Sequence, residues 1–119
     1  MKLPIGLAVC VCFCAATAQA RISSVYGPGS ASCSEWTIAR QRHTDQELGF
    51  VYWVGGYVSG FNAFAADDAF GAQMPGHVTG TSDMYGMAAW VDNYCQQNPL
   101  DSVVQATTAL IKTLMVRKN

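Results

Sequence analysis

The stretch VYWVGGYVSGFNAF, residues 51–64, is apolar, aromatic and crowded with glycine, and its interpretation decides the fold of the whole chain. Apolar residues around it recur at the i, i+3, i+4, i+7 spacing of one helix face. That face holds Phe50, Trp53, Val54, Tyr57, Val58, Phe61, Phe64 and Ala65. Thr44 and Glu47 match the Ser/Thr-x-x-Glu capping pattern. The stretch therefore predicts a helix that opens at Thr44 and runs to about Ala66.

Two other interpretations of this stretch compete with a helix of a globular domain. Its β-branched and aromatic residues also favour a strand, but the capping pattern and the helical period favour a helix. The spacing Gly56-x-x-x-Gly60 also occurs where membrane helices pair. Tyr52, Ser59 and Asn62 would then need polar partners in lipid, so we expect a packed helix rather than a membrane span.

The glycines of this helix need a physical reason, because each costs up to about 1 kcal/mol relative to alanine in a helix interior. Close approach of a second helix is the plainest reason, so we predict close helix packing at Gly56 and Gly60. A groove for a ligand or partner is the alternative. Trp53, Tyr57 and Phe61 are the candidate residues for apolar packing or for binding a client protein.

The first twenty residues have the features of a cleaved signal peptide. Lys2 precedes an apolar run over residues 5–16, and Ala18-Gln19-Ala20 is an A-x-A cleavage site. A retained anchor and lipidation at a cysteine of the run are the alternatives. Cleavage leaves residues 21–119 with six Lys and Arg against eight Asp and Glu, a net charge of −2. We therefore expect an exported, periplasmic protein.

Cys33 and Cys95 are the two cysteines that remain after cleavage. Two cysteines in an exported chain predict one disulfide, and two reduced thiols are the alternative. A metal site would need more ligands than two sulfurs, and we expect neither a metal nor another cofactor.

The rest of the mature chain predicts three further helices and no strand. Residues 21–32 are rich in Ser and Gly and predict a flexible lead-in to a single domain over 33–119. A first helix is predicted over about 33–42, with Ser32 and Glu35 as its capping box. A third is predicted over about 83–97, capped by Ser82 or Asp83. A fourth is predicted from Asn98 as N-cap and Pro99 as first residue to about Met115. The connection over 67–82 is long, and the role of its His77 stays open.

The sequence lacks the motifs that are typical of several large enzyme classes. It contains no nucleophile elbow, phosphate-binding loop or dinucleotide fingerprint, so we expect no enzyme activity. It has no basic stripe either, which argues against a nucleic-acid partner. The fold class predicted is a small all-α, four-helix domain with one disulfide joining the first helix to the third.

The neighbourhoods of the two cysteines resemble those of the HdeA/HdeB periplasmic acid-stress chaperones. Ser32-Cys33-Ser34-Glu35-Trp36 is similar to that family's Cys-x-x-aromatic opening, and residues 94–99, YCQQNP, are similar to its second cysteine followed by Asn-Pro. The resemblance implies a helical fold in which Cys33 and Cys95 form the structural pair. It also implies a homodimer that loosens in acid and exposes apolar surface to unfolding clients.

A second resemblance leads to a different class of function. Gly55-Gly56-Tyr57 in a central helix, followed by a helix that ends in Asn98-Pro99, is similar to the periplasmic immunity proteins of the Rap/Tai type. That resemblance implies an exported binding protein that blocks a secreted cell-wall amidase. An envelope structural or interaction domain is the third hypothesis.

Overall fold

Four α-helices form the domain, in the order that the sequence predicts. The computed structural model describes residues 24–66, 76–78 and 83–117. Residues 116 and 117 are described by their backbone alone. Within these residues the helices are α1 (Cys33–Arg42), α2 (Glu47–Ala66), α3 (Met84–Gln97) and α4 (Val103–Leu114). Because α3 packs more extensively against each of the other three helices than they pack against one another, it forms the centre of the bundle. The predicted all-α, four-helix class is confirmed. The predicted signal peptide, residues 1–20, lies outside the described residues.

The predicted disulfide between Cys33 and Cys95 is present. It joins the first residue of α1 to the last turn of α3, with a Cα–Cα distance of 4.9 Å. Both cysteines are buried. The pairing brings together two segments that are 62 residues apart in the sequence.

The core lies around α3 and is made of aliphatic side chains, two aromatic rings and the disulfide. Trp36 is fully buried, and its ring meets that of Phe50 edge to face, with centroids 5.7 Å apart. The aliphatic core residues are Ala39, Val51, Val54, Val58, Val78, Ala88, Val91, Val103, Ala106, Leu110 and Ile111. Thr107 is buried among them because its hydroxyl donates to the carbonyl of Val103 at 2.8 Å.

The predicted caps of α1 and α3 are confirmed. The Ser32 hydroxyl accepts from the backbone N–H of Glu35, and the Glu35 carboxylate accepts in return from the backbone N–H of Ser32. Asp83 caps α3 by accepting from the N–H of Gly86 at 2.6 Å. Of the two residues proposed for that cap, Ser82 lies outside the described residues.

The predicted start of α2 is wrong. The helix begins at Glu47, whose carboxylate pairs with Arg40 and His43 rather than with a backbone N–H of Thr44. The hydroxyl of Thr44 is buried and has no hydrogen-bond partner among the described residues. A Thr-x-x-Glu capping box needs Glu47 in the third helical position, and here it is the first.

The predicted start of α4 is also wrong. Asn98 ends α3, since its side-chain amide donates to the Tyr94 carbonyl at 2.9 Å. Pro99 then lies in a turn closed by the N–H of Asp101 and the carbonyl of Asn98, 3.1 Å apart. Proline suits the second position of such a turn as well as the first position of a helix. The true N-cap of α4 is Ser102, which forms a capping box with Gln105.

The N-terminal lead-in is packed against the domain over its described part, in contrast to the predicted flexible segment. A 3-10 helix spans Gly27–Ser30, and the segment of residues 26–30 is called the strap below. Gly27 has a φ of +73°, which glycine adopts without strain. After the strap, the carbonyl of Ala31 accepts from Val103 at 2.9 Å, and the N–H of Cys33 donates to Asp101 at 2.7 Å. Residues 21–23 lie outside the described chain.

Two strands of three residues add a feature that the sequence analysis did not predict. β1 (Gly76–Val78) pairs antiparallel with β2 (Met115–Arg117), and His77 lies opposite Val116. Asn62 of α2 holds β1: its amide nitrogen donates to the Val78 carbonyl at 3.0 Å, and its amide oxygen accepts from the Val78 N–H at 2.9 Å. The remainder of the predicted connection over 67–82 is not among the described residues.

Candidate functional site: an aromatic groove on α2

An apolar groove lies along the C-terminal half of α2. Tyr57, Gly60, Phe61 and Phe64 line it, and it encloses about 380 Å³; these four residues are called the aromatic groove. Tyr57 is 39% exposed and Phe64 is 56% exposed. Since soluble monomers seldom expose contiguous aromatic surface without a use for it, this groove is the strongest candidate for a binding site.

The groove exists because the apolar face of α2 is wider than the core can cover. Phe50, Val54 and Val58 of the predicted face are buried, together with Val51. Phe61 is half-buried and packs at the margin of this core. Tyr57 and Phe64 lie on the outer edge of the same face. One helix therefore supplies both a structural stripe and an exposed one.

Trp53 connects the groove to the strap. Its ring stacks on that of Tyr57, with centroids 5.0 Å apart, and its indole N–H donates to the carbonyl of Tyr26 at 3.1 Å. Of the three candidate binding residues, Tyr57 and Phe61 line the groove, and Trp53 lies beside it under the strap. The structure thus brings the three together along one edge of α2.

The close helix packing predicted at Gly56 and Gly60 is wrong for the described part of the chain. Both glycines are exposed, and a Cβ added at either meets no heavy atom of the described residues within 4 Å. Gly55 instead makes the close approach, because its added Cβ would lie 3.2 Å from the sulfur of Met84 on α3. Gly60 has a different role, since its missing side chain keeps the groove open.

A polar cluster lies at the other end of α2 and links three helices. Arg40 of α1 donates to both oxygens of Asp92 on α3, with Nη2 to Oδ2 at 2.8 Å, and to Glu47 of α2 at 2.8 Å. Asp92 also accepts from the indole N–H of the buried Trp36 at 2.7 Å. Arg40, Glu47 and Asp92 are called the Arg40 cluster below.

The electrostatics of the Arg40 cluster are those of a structural bridge. The hydrogen bond that Arg40 donates to Asp92, followed by the charges of Asp92 and Glu47, raises the pKa of the Arg40 guanidinium above its ordinary value. The Arg40 guanidinium already donates to two carboxylates, so it has few N–H donors left for an anionic ligand. His43 extends the cluster, with Nδ1 3.0 Å from Glu47 Oε2. A polar pocket of about 190 Å³ beside these residues contains no nucleophile paired with a base.

The sequence analysis missed Asp92 and Asn62, the two polar residues that hold the helices and β1 in place. A weak signal for Asp92 was available, because a buried tryptophan needs an acceptor for its indole N–H. Asn62 had no comparable signal, since its partner is the backbone of a strand sixteen residues away. His77 is exposed on β1.

The comparisons with known proteins leave the family open. No family model, no curated protein and no solved structure matches this chain. Among the described helices, none is both long and apolar enough to cross a membrane. The described residues also contain no group of three or more His, Cys, Asp or Glu side chains arranged to hold a metal ion.

Proposed function

We propose that this protein is an exported, periplasmic acid-stress chaperone of the HdeA/HdeB kind, which binds unfolding proteins through the aromatic groove. The observation that carries the proposal is the groove itself: the exposed rings of Tyr57 and Phe64 flank the half-buried Phe61 on a helix fixed by a buried core. Unfolding proteins expose apolar segments of many sequences, and an aromatic groove with an almost wholly apolar lining binds such segments without requiring one sequence.

The Arg40 cluster supports an acid-dependent step. Asp92 and Glu47 carry the negative charges that join α1 to α3 and α2. Such ion pairs need ionised carboxylates, so strong acid weakens them. Full protonation of the eight carboxylates and two histidines changes the net charge of the mature chain from −2 to +8, because the six Lys and Arg keep their charge. Lost ion pairs and self-repulsion loosen the helices around the groove.

The test is light scattering of an acid-denatured client enzyme at about pH 3, with and without the mature protein. We expect suppression of scattering near a stoichiometric ratio. Tyr57→Ser should weaken the suppression, because it removes an aromatic wall of the groove. Tyr52→Ser is the matched control, since Tyr52 is exposed on the same helix and does not line the groove.

Two results contradict the proposal. The first is an absence of suppression by a protein that circular dichroism shows to be still folded at that pH. The second is suppression that Tyr57→Ser and Tyr52→Ser reduce equally, which assigns the activity to another surface. Size-exclusion chromatography at neutral and acid pH tests the accompanying proposal that the protein is a homodimer that loosens in acid.

A second candidate function, binding of one specific partner as the Rap/Tai-type immunity proteins do, is favoured by the turn between α3 and α4. Leu100 at its tip is 96% exposed. The turn is held rigidly: Ser34 donates to the Pro99 carbonyl at 3.1 Å, and Tyr94 donates to the Asp101 carboxylate at 2.6 Å. A rigid, exposed leucine suits one complementary pocket better than many unfolded clients.

Leu100→Ser distinguishes the two functions. A partner-binding protein should lose capture of a purified cell-wall amidase in this variant, measured by calorimetry, and keep its behaviour toward acid-denatured clients. A chaperone that uses the aromatic groove should suppress scattering as well as the parent does.

A further inference from the structure

The strap lies on the same aromatic stripe that continues into the groove. Gly29 of the strap is buried, and a Cβ added there would overlap the Trp53 ring. Trp53 in turn stacks on Tyr57, the first residue of the groove. The strap, Trp53 and the groove therefore form one continuous surface, and the strap covers one end of it.

The contacts between the strap and Trp53 are made by the backbone of the strap. The backbone at Gly29 approaches the indole ring closely, and the carbonyl of Tyr26 accepts from the indole N–H at 3.1 Å. No side chain of the strap is needed for either contact. A flexible polypeptide with glycine at the same point can make both of them.

The strap packs against α2 and α4, but among the described residues a single hydrogen bond, from Trp53 to the carbonyl of Tyr26, joins it to either helix. Beyond it, Ala31 and Cys33 are hydrogen-bonded to the α4 entrance at Val103 and Asp101. Within it, the Ser30 hydroxyl donates locally, to the carbonyl of Gly27 at 3.0 Å, and Tyr26 is 83% exposed. Residues 26–30 can therefore lift from Trp53 while the segment that follows stays in place.

We propose that the strap is a built-in competitor for the client groove, which a segment of unfolded polypeptide displaces in order to reach Trp53. This inference rests on the proposed function, because it extends the same surface by one aromatic residue. Displacement exposes a row formed by Trp53, Tyr57 and Phe61. The resting protein shows only the outer part of that row.

Gly29→Ala is the direct test, because its methyl group cannot share space with the Trp53 ring. The matched control is Gly49→Ala on α2, where an added Cβ meets no described atom within 4 Å. At neutral pH, Gly29→Ala should raise the fluorescence of anilinonaphthalene sulfonate about twofold or more, since this dye reports exposed apolar surface. It should also bind reduced, carboxymethylated α-lactalbumin several-fold more tightly. Gly49→Ala should change neither quantity.

A second variant keeps the proposal testable if Gly29→Ala fails to fold. Trp53→Phe removes the hydrogen bond to Tyr26 without adding an atom. Hydrogen exchange followed by mass spectrometry should then show faster exchange of residues 24–30 than in the parent, with unchanged exchange of α3. Unchanged exchange of residues 24–30 overturns the proposal.

The remaining outcomes separate the strap from the proposed function. Equal dye fluorescence in Gly29→Ala and Gly49→Ala overturns the strap proposal. So does a rise in dye fluorescence without tighter binding of the unfolded polypeptide, when the parent itself binds that polypeptide. A parent and variants that all fail to bind it overturn the proposed function, and the strap proposal with it.

Discussion

Four glycines lie within α2, and their surroundings decide what each one does. Gly49, Gly56 and Gly60 are open to added side chains among the described residues, whereas Gly55 faces Met84 of α3. The helix therefore bears the entropic cost of glycine at exposed positions without a packing gain there. At Gly60 the gain is the open groove.

Gly56→Ala should stabilise the protein, in contrast to the loss that close packing at this glycine would cause. Alanine lowers the backbone entropy cost by up to about 1 kcal/mol at an exposed helix position, which corresponds to a rise in Tm of about 4–8 °C for a domain of this size. Gly55→Ala should gain less, because Met84 must move. Thermal unfolding followed by circular dichroism measures both. A lower Tm in Gly56→Ala would contradict this account, because it would mean that another part of the protein packs against this glycine.

Substitution of Asp92 should destabilise the bundle more than substitution of any other described polar residue. It accepts from Arg40 and from the indole of Trp36, and its asparagine variant places an amide N–H toward the guanidinium. Hydrogen bonds to charged groups contribute about 1.5–3 kcal/mol, and this side chain is about a quarter exposed, so we expect a loss near the lower end. Urea unfolding measures the loss. Asp45→Asn, at an exposed carboxylate, should unfold like the parent.

At the scale of elements, the capping box of α1 has a pH dependence of its own. Hydrogen bonds from the backbone N–H of Ser32 and then from its hydroxyl lower the pKa of Glu35 below its ordinary value of 4.5. A carboxyl group with a lowered pKa in the folded state stabilises the fold above its unfolded-state pKa. That contribution disappears as the pH falls through the folded-state pKa.

Glu35→Gln should therefore unfold with less dependence on pH than the parent at the acid end. Glutamine keeps a side-chain acceptor for the capping box but does not titrate. The difference in free energy of unfolding between parent and variant should shrink as the pH falls from about 5 to about 3. The reciprocal control is Gln105→Glu in the equivalent box of α4, which should introduce the same acid dependence. A constant difference across this pH range contradicts the assignment.

Elements with strong local signals could be predicted from the sequence, and boundaries that depend on tertiary partners could not. The Ser32 box and the Asp83 cap use only backbone groups within three residues, so the pattern alone predicted them. The capping box predicted at Thr44 does not form, because the Glu47 carboxylate pairs with Arg40 instead. Asn98-Pro99 matched a helix start, yet Ser102 and Gln105 provided a complete capping box four residues later.

The candidate site was predicted in part for the same reason. Helical phase placed Trp53, Tyr57 and Phe61 on one face, but phase does not tell how much of a wide face the core covers. The strap was not predicted, because glycines at 27 and 29 are typical of flexible segments. In the fold, Gly27 adopts a positive φ and Gly29 contacts Trp53. The pairing of β1 with β2 depends on segments remote in sequence.

At the scale of the whole molecule, the disulfide holds the start of α1 on the central helix. In the chain-entropy relation, a loop closed by cysteines 62 residues apart stabilises the fold by about 4 kcal/mol. Cys33→Ser with Cys95→Ser should lose about that much in urea unfolding, a large share of the stability of a small domain. Reduction of the parent by dithiothreitol should match the double variant. A double variant as stable as the parent contradicts this account.

The aromatic groove is the central claim, and site-specific photo-crosslinking tests it most directly. A photoreactive phenylalanine analogue at position 64 replaces an aromatic residue of the groove, and the same analogue at position 52 stands on the same helix outside it, about 18 Å away by helix geometry. Both sites replace an exposed aromatic residue, Phe64 or Tyr52. With an acid-denatured client at about pH 3, we predict a crosslink yield several-fold higher from position 64. Equal yields, or a higher yield from position 52, would contradict the assignment of client binding to the groove.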